Sequence, residues 1–303
     1  MGALVNQQGA RHPLRARHRV GRDPRSDLHL VEGSVSSDHA VIAWSGAAWT
    51  VRDLSSRNGT VVNGAPLEPG RVMALSAGSQ LVFGGGDPWR LESDAPPQAM
   101  AEDMVGGGLL VAEHGLLALP DPESPEVQIF RRGQGWVAER DGSEEPVADG
   151  ACQVAGGRPW RLHLPSALAG TMGSQPVPLT LLELTLRFEV SLDEEHVRWG
   201  AVHGLQDIDL GSRSFNYTLL TLARARVDDA ADPELPPSSH GWRDREELAS
   251  VLRLDPESLR VQLFRARRQL ARAGIEDAAA LIERRTGAGQ LRIGTGLLEI
   301  HRI

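Results

Sequence analysis

The sequence predicts a multidomain chain, β-rich through its first half and α+β towards its end. Three observations predict it. At 303 residues the chain suits two or three domains rather than one. Two stretches with little to bury, Ser93-Asp94-Ala95-Pro96-Pro97-Gln98-Ala99 and Gly173-Ser174-Gln175-Pro176-Val177-Pro178, read as linkers. Beyond the second, a strand-like alternation gives way to apolar residues at helical spacing. The expected divisions are a first domain over 1–93, a linker over 94–104, a small β-rich segment over 105–170, a second linker over 171–180 and a last domain over 181–303.

In the first domain the chemistry gathers in three clusters: Gly21-Arg22, then Val35-Ser36-Ser37-Asp38-His39-Ala40, then Asp53-Leu54-Ser55-Ser56-Arg57-Asn58-Gly59-Thr60-Val61-Val62-Asn63-Gly64. Trp49-Thr50-Val51 reads as a strand between the second and third. The Asn-Gly pairs at 58–59 and 63–64 signal hairpin-type turns, and Gly21, Gly59 and Gly64 suit tight turns with positive φ. A phosphate on threonine brings nearly two negative charges and three strong acceptor oxygens, so a receptor for it needs a guanidinium and short-range hydroxyl or amide donors held on loops. Arg22, Ser36, Arg57 and Asn58 supply that set.

The order and spacing of these clusters resemble the forkhead-associated (FHA) domain, an all-β sandwich whose family function is to bind phosphothreonine in partner proteins. The resemblance covers about residues 3–92, with 79–83 and 89–91 as late strands. It implies that Arg22 pairs with the phosphate, that Ser36 donates its hydroxyl to it, and that Asn58 bonds the ligand backbone beside the phosphothreonine. Ser37 and Arg57 complete the implied phosphopeptide set, and Gly21, His39 and Gly59 match residues that brace the loops. Many members carry Arg directly after the Ser. Ser37 stands there in this chain, which leaves Arg57 or Arg25 to replace that charge. The implied partner is a protein phosphorylated on threonine by a Ser/Thr kinase.

The middle segment shows short β-like runs, among them Val127-Gln128-Ile129-Phe130, Gly135-Trp136-Val137-Ala138 and Trp160-Arg161-Leu162-His163-Leu164. Its Gly156-Gly157-Arg158-Pro159-Trp160-Arg161-Leu162 echoes Gly84-Gly85-Gly86-Asp87-Pro88-Trp89-Arg90-Leu91, with none of the phosphate-binding residues beside it. A β spacer or interaction module is the role expected of it.

In the last domain, 182–190 alternates as a strand and 196–202 can pair with it. Helices follow near 213–226, 242–253 and 256–273, then a shorter one near 276–285, and 290–293 with 297–300 reads as a closing hairpin. This order resembles the winged helix-turn-helix effector domain of OmpR-type regulators, which implies a bacterial transcription regulator with double-stranded DNA as a second partner. On the helix resembling the family's recognition helix, Leu259, Leu263, Ala266 and Leu270 form a stripe to be buried, and Val261, Arg265, Arg268 and Arg272 form the opposite stripe. The outward stripe has the charge and reach for a major groove. Arg260 and Arg267 fall on a flank towards the core, and Arg284, Arg285 and Arg292 are available for backbone contacts from the wing. The alternative is an adaptor whose last domain binds protein.

Composition bounds the rest. All 32 basic residues are arginine, the net charge is −8 and the pI is near 5.7, so the whole molecule is not a general polyanion binder. Cys152 is the only cysteine, which excludes an intrachain disulfide and reads as a small buried hydrophobe in a reducing compartment. No N-terminal leader pattern or long apolar run is present, so a cytoplasmic protein is expected, with no membrane partner. His196 and His203 lack companions at metal-ligand spacing, Gly84-Gly85-Gly86 and Gly106-Gly107-Gly108 lack the Lys-Ser/Thr of a nucleotide loop, and no nucleophile elbow or kinase signature occurs. The expectation is no enzyme, no metal and no cofactor.

Overall fold

Strand Trp49–Asp53 buries Trp49, Val51 and Asp53 and leaves the residues between half-buried, the period of a strand with one face on a core. It lies in a five-stranded sheet in the order Leu28–His29, Arg17–Gly21, Ala40–Trp44, Trp49–Asp53, Val72–Leu75. A six-stranded sheet runs Arg11–Pro13, Ala3–Val5, Trp89–Ser93, Gln80–Phe83, Thr60–Val62, Ala65–Leu67. Leu4, Val20, Ile42, Trp49, Leu81 and Phe83 from the two sheets meet in one core, making the β-sandwich expected of the first domain. The computed structural model describes residues 1–166, 179–285 and 287–303, and it divides the chain into two units, one built on Met1–Met100 with residues 163–166, the other on Ala101–Leu162 with the residues from 179 onward.

At one edge of the sandwich two histidines meet ring to ring, with His12 Nε2 3.1 Å from His18 Nε2. The Arg15 amide donates to His18 Nδ1 at 3.2 Å, so His18 carries its proton on Nε2 and donates it to His12. Every nitrogen on this path is already used by the neutral pair. Burial holds both rings below the ordinary histidine value, His18 well below it, helped by the charge of Arg15 at His12 and by the His12 ring and then Arg15 at His18.

The second unit contains the middle segment and the C-terminal part around a shared core, in which Leu116, Ala118 and Phe130 join Phe188, Trp199, Leu263 and Phe264. The middle segment makes two four-stranded sheets. One orders Leu109–Val111, Met100–Asp103, Arg158–His163, Cys152–Ala155, and the other is a meander of Leu117–Leu119, Val127–Arg132, Gly135–Arg140 and Ser143–Val147. The stretch expected as linker therefore contains a strand, because Met100 and Ala101 have apolar neighbours to bury against. Cys152 is exposed rather than buried, since it lies on an edge strand facing outward, with Met104 Sδ at 3.7 Å. The echoed Gly-Gly pairs are alike in conformation: Gly84, Gly85, Gly156 and Gly157 all have positive φ and each pair leads towards a strand. The glycine-proline stretch at 173–178 and most of the expected second linker lie outside the described residues.

The C-terminal part begins with Thr185–Val190 paired antiparallel to Val197–His203, as the alternation predicts, and adds Gln206–Ser212 as a third strand. Helices α1 (Asn216–Ala230), α2 (Arg245–Leu252) and α3 (Pro256–Arg272) follow. Helix α1 starts later than its apolar pattern suggests because Asn216 Nδ2 donates to the carbonyls of Val197 and Gly211 and ties the chain to the strands first. Asp244 and Asp255 cap α2 and α3 through the amides of Glu246, Glu247 and Ser258. The expected short helix near 276–285 is a 3₁₀ turn, Ala278–Leu281, followed by strand Ile282–Arg285. That strand pairs with Gln290–Ile293 across a turn in which Gly287 and Gly289 have positive φ, and Arg243–Asp244 completes a three-stranded sheet. The closing hairpin expected from 290–300 does not form. Leu298–Arg302 instead runs parallel to Thr185–Val190, because Leu298 and Ile300 find apolar partners there.

What joins the meander to α3 is a buried ion network. Gln128 and Glu139 stand opposite each other in register and face the same guanidinium, that of the fully buried Arg267. Arg267 Nη1 donates to Glu139 Oε2 at 2.7 Å and to Gln128 Oε1 at 3.0 Å, and Arg284 Nη2 donates to Glu139 Oε1 at 2.6 Å. The Arg267 guanidinium also lies over the Phe130 ring at 5.1 Å. Burial pushes the Glu139 carboxyl up, but the two guanidiniums outweigh it and bring the group down to about 2.

Two outcomes follow. Unfolding of the sandwich, followed by denaturant titration between pH 8 and 5, loses stability as pH falls below about 6.5, because the unfolded histidines take up protons that the folded pair refuses; His12→Gln flattens that slope. Glu139→Ala destabilises the second unit by about 3–5 kcal/mol in denaturant melts, since it strands two buried guanidiniums, whereas Glu139→Leu combined with Arg267→Met costs much less.

Candidate functional site

Three loops leave the five-stranded sheet at one end and carry the residues singled out above. Backbone bonds lock them together: the Arg22 amide donates to the Ser36 carbonyl at 2.9 Å and the Asp23 amide to the Ser37 carbonyl at 3.2 Å. Gly21 sits where these strands crowd, and a Cβ there would lie 2.0 Å from the Ser37 carbonyl oxygen. Its need for glycine is thus a close approach and not the positive φ expected of it, which Gly59 and Gly64 do adopt at 75° and 80°. Asn63 and Gly64, both at positive φ, turn the hairpin between Thr60–Val62 and Ala65–Leu67 as the Asn-Gly signal predicts. The pair at 58–59 makes no hairpin and ends the third loop, whose left-handed residues are Ser55 and Gly59.

His39 is the brace. Fully buried, it accepts the Ser36 amide at Nδ1 over 3.1 Å and places Nε2 3.1 Å from the Gly59 carbonyl, joining the second loop to the third. Asp53, also buried, holds the third loop from below. It accepts the Ser56 amide at 2.8 Å, the Ser56 hydroxyl at 2.7 Å and the Thr60 hydroxyl at 2.6 Å. Burial pushes the Asp53 carboxyl up, yet these donors and the His39 ring outweigh it and keep it below the usual carboxylate range. Sequence reasoning passed over Asp53. The signal available was a carboxylate opening a run of small hydroxyl and amide residues.

On this frame Arg22, Ser37, Arg57 and Asn58 are exposed and Ser36 is half-buried, all around the same loop mouth. Arg22 Nε donates to the Val35 carbonyl at 3.2 Å, which aims the side chain and leaves its terminal nitrogens without a partner among the described residues. The Ser36 hydroxyl oxygen accepts the Arg57 amide at 3.0 Å and so keeps its own proton to donate. Asn58 Nδ2 donates to the Ser34 carbonyl at 2.7 Å, which leaves its carbonyl oxygen and second amide proton to a ligand. Of the two candidates to replace the missing Arg after Ser36, Arg25 is held by Asp23 through bonds of 3.1 and 3.0 Å. The Arg57 guanidinium has no partner among the described residues. The mouth therefore presents two uncommitted guanidiniums, a hydroxyl and an amide, with no carboxylate turned on them.

The second candidate surface is differently placed. Leu259, Leu263, Ala266 and Leu270 of α3 are buried as predicted, and Arg267 on the core flank is buried too. The opposite stripe faces the middle segment. Arg265 Nη2 donates to Glu123 at 3.0 Å, Arg268 to Glu113 at 3.0 Å and to Glu123 at 3.3 Å, and Arg272 to Glu113 at 3.1 Å. Phe264 is buried beside Leu116, Leu117 and Ala118, and Val261 is half-buried. Of the three arginines expected to contact a DNA backbone, Arg284 is taken up by Glu139, while Arg285 and Arg292 lie over the Trp242 ring at 4.6 and 4.5 Å. Among the described residues no group of three or more His, Cys, Asp or Glu side chains is placed to hold a metal ion, and no helix is long and apolar enough to cross a membrane.

Residues 18–84 match the family described as FHA domain, all within the N-terminal unit. Among solved structures, the chain is similar to EmbR of Mycobacterium tuberculosis in complex with a low-affinity phosphopeptide, at 27% identity and a TM-score of 0.29, over 31% of this chain and 25% of that one. It is similar to the FHA domain of the CT664 protein of Chlamydia trachomatis at 28% identity and a TM-score of 0.28, over 31% of this chain and 98% of that one. The FhaA FHA domain complexed with the intracellular domain of Rv3910 aligns at 28% identity and a TM-score of 0.28, over 30% of this chain and 99% of that one. The chain thus spans a quarter of EmbR and nearly the whole of the isolated domains. No curated protein matches it.

Replacing His39 by Ala leaves the Ser36 amide and the Gly59 carbonyl buried and unpaired, and it lowers the sandwich's stability by about 1–3 kcal/mol in denaturant melts.

Proposed function

We propose that the FHA domain at residues 18–84 captures a threonine-phosphorylated segment of a partner protein, and that the chain works as a phosphorylation-dependent adaptor. The observation that carries the reading is the pair of uncommitted guanidiniums, Arg22 and Arg57, facing a braced Ser36 hydroxyl at the loop mouth. Arg22 and the Ser36 hydroxyl take the phosphate oxygens, with charge-assisted bonds stronger than neutral ones. Arg57 supplies the second positive charge in place of the Arg absent at Ser37. Asn58 bonds the ligand backbone on either side of the phosphothreonine, which fixes the peptide's direction. Gly21, His39 and Gly59 hold the three loops at the spacing this needs, so little ordering is left for the moment of binding. A soluble protein is consistent with the absence of a membrane-spanning helix among the described residues.

The winged-helix resemblance of residues 181–303 carries the other reading, a DNA-binding transcription regulator. The geometry favours the adaptor. A recognition helix must lie in a major groove about 12 Å wide, and the stripe that would face the bases, Val261, Arg265, Arg268 and Arg272, is bordered by Glu113 and Glu123 with Phe264 beneath the middle segment. The anchor behind that cover is the buried Arg267–Glu139 pair, and not a loose surface contact.

Titration of the full chain with a phosphothreonine peptide, beside its unphosphorylated and phosphoserine forms, tests the reading. Arg22→Ala abolishes binding, and Arg57→Ala weakens it about tenfold or more through loss of one charge-assisted contact. Unchanged affinity in Arg22→Ala would refute the assignment of the site. Salt-dependent binding of duplex DNA by the wild type, lost in Arg265→Ala/Arg268→Ala, would return the transcription-regulator reading.

A further inference from the structure

Beside α3 lies an open cavity of about 370 Å³ lined by Arg213, Phe215, Arg265, Arg268, Gln269 and Arg272. Its floor is fixed. Phe215 is buried, and Gln269 is spanned by the Trp199 indole, which donates to it at 3.1 Å, and by the Leu210 carbonyl, to which it donates. Its walls are four guanidiniums in unequal states. Arg268 is fully engaged, with all three nitrogens on Glu113 and Glu123. Arg265 and Arg272 each spend one nitrogen on a carboxylate, and Arg213 spends one on the Ser212 carbonyl at 3.3 Å. Three guanidiniums therefore keep donors without a partner among the described residues, on one concave surface.

The charges do not cancel. Four guanidiniums meet two carboxylates, and Glu113 stays ionised: burial raises its carboxyl, but Arg268 and Arg272 outweigh this and hold it below the usual range. Two positive charges remain in a chain whose net charge is −8, so the cavity stands out against the molecule's general field. The two carboxylates are half to two-thirds exposed and their pairs with Arg265 and Arg272 are open to water, which makes these contacts weak and exchangeable. They already show what the wall takes: planar oxyanions on forked guanidinium donors.

We propose that this cavity is a binding site for a compact polyanion of the oligophosphate class, separate from the phosphothreonine site. Arg213 and Arg272 grip successive phosphate groups from opposite walls, and Arg265 turns its spare nitrogens to the same ligand. The volume admits a chain of two or three phosphates, free or carrying a nucleoside, in the range of small-molecule sites. Glu113 and Glu123 act as internal competitors that set the affinity.

Calorimetric titration of the full chain with inorganic tripolyphosphate at low ionic strength tests this, in an Arg22→Ala background so that the phosphothreonine site contributes nothing. Saturable binding is expected, falling with added salt and lost in Arg213→Ala/Arg272→Ala, whose fold is checked by circular dichroism. Glu123→Gln tightens it about three- to tenfold, by removing a competing carboxylate. A nucleoside triphosphate in a parallel arm binds through the same arginines, and the ratio of the two affinities tells which form of the oligophosphate the cavity prefers. Absence of tripolyphosphate binding, binding untouched by Arg213→Ala/Arg272→Ala, or a duplex DNA that outcompetes tripolyphosphate for those two arginines would each overturn the proposal.

Discussion

A guanidinium with no exposure to water survives in a protein interior only if a carboxylate meets it there and acceptors are found for its terminal nitrogens. Arg267 is that guanidinium. Glu139 takes one of its nitrogens, Gln128 shares that nitrogen, and the Ile282 carbonyl takes another at 3.0 Å. These three partners come from two strands of the middle meander and from the strand that follows the last 3₁₀ turn, so one side chain on α3 ties three elements together. Around this network Leu116, Ala118 and Phe130 share a core with Leu263 and Phe264. The middle segment is therefore part of the C-terminal unit's interior, and the surface α3 leaves to others is decided by it.

The consequences for function differ between the two units. In the sandwich the polar groups of the loops are used up in bracing, through the contacts of His39 and the carboxylate of Asp53, and the groups left over at the mouth are cations and donors. That residue of unused capacity is what the proposed phosphothreonine site rests on. In the second unit the same bookkeeping leaves α3's arginines partly satisfied by Glu113 and Glu123, with spare donors only along one border. A helix that looks like a free basic face in sequence is, in the folded chain, a shared boundary.

How far the sequence could be read follows from the range of the forces involved. Local chemistry was legible: the Asn63-Gly64 turn, the alternation of Thr185–Val190 against Val197–His203 and the apolar stripe of α3 each depend on residues within a turn or a strand of one another. Even the burial of Arg267 could be read from its angle on the helix. What failed was the fate of residues whose partners lie far along the chain. Ala278–Leu281 and Ile282–Arg285 look helical by composition, yet the pairing with Gln290–Ile293 draws the second of them into a strand. Leu298–Arg302 looks like half of a hairpin until Thr185–Val190, more than a hundred residues earlier, offers it a parallel edge.

By itself, the sequence determined the identity and order of the groups at the loop mouth, because the three clusters that supply them are each short and lie close together along the chain. It determined equally that α3 would present arginines on one face. Only the tertiary structure decided which arginines remained available. Arg22 keeps its terminal donors because the Val35 carbonyl takes just one nitrogen, and Arg57 keeps its own because no acid among the described residues pairs with it. Arg268 loses all of its donors to Glu113 and Glu123, some 150 residues away. Ion pairing acts through space and is indifferent to sequence distance, so the charges of a chain can be counted from its letters, while their pairing is known only once the fold has brought them together.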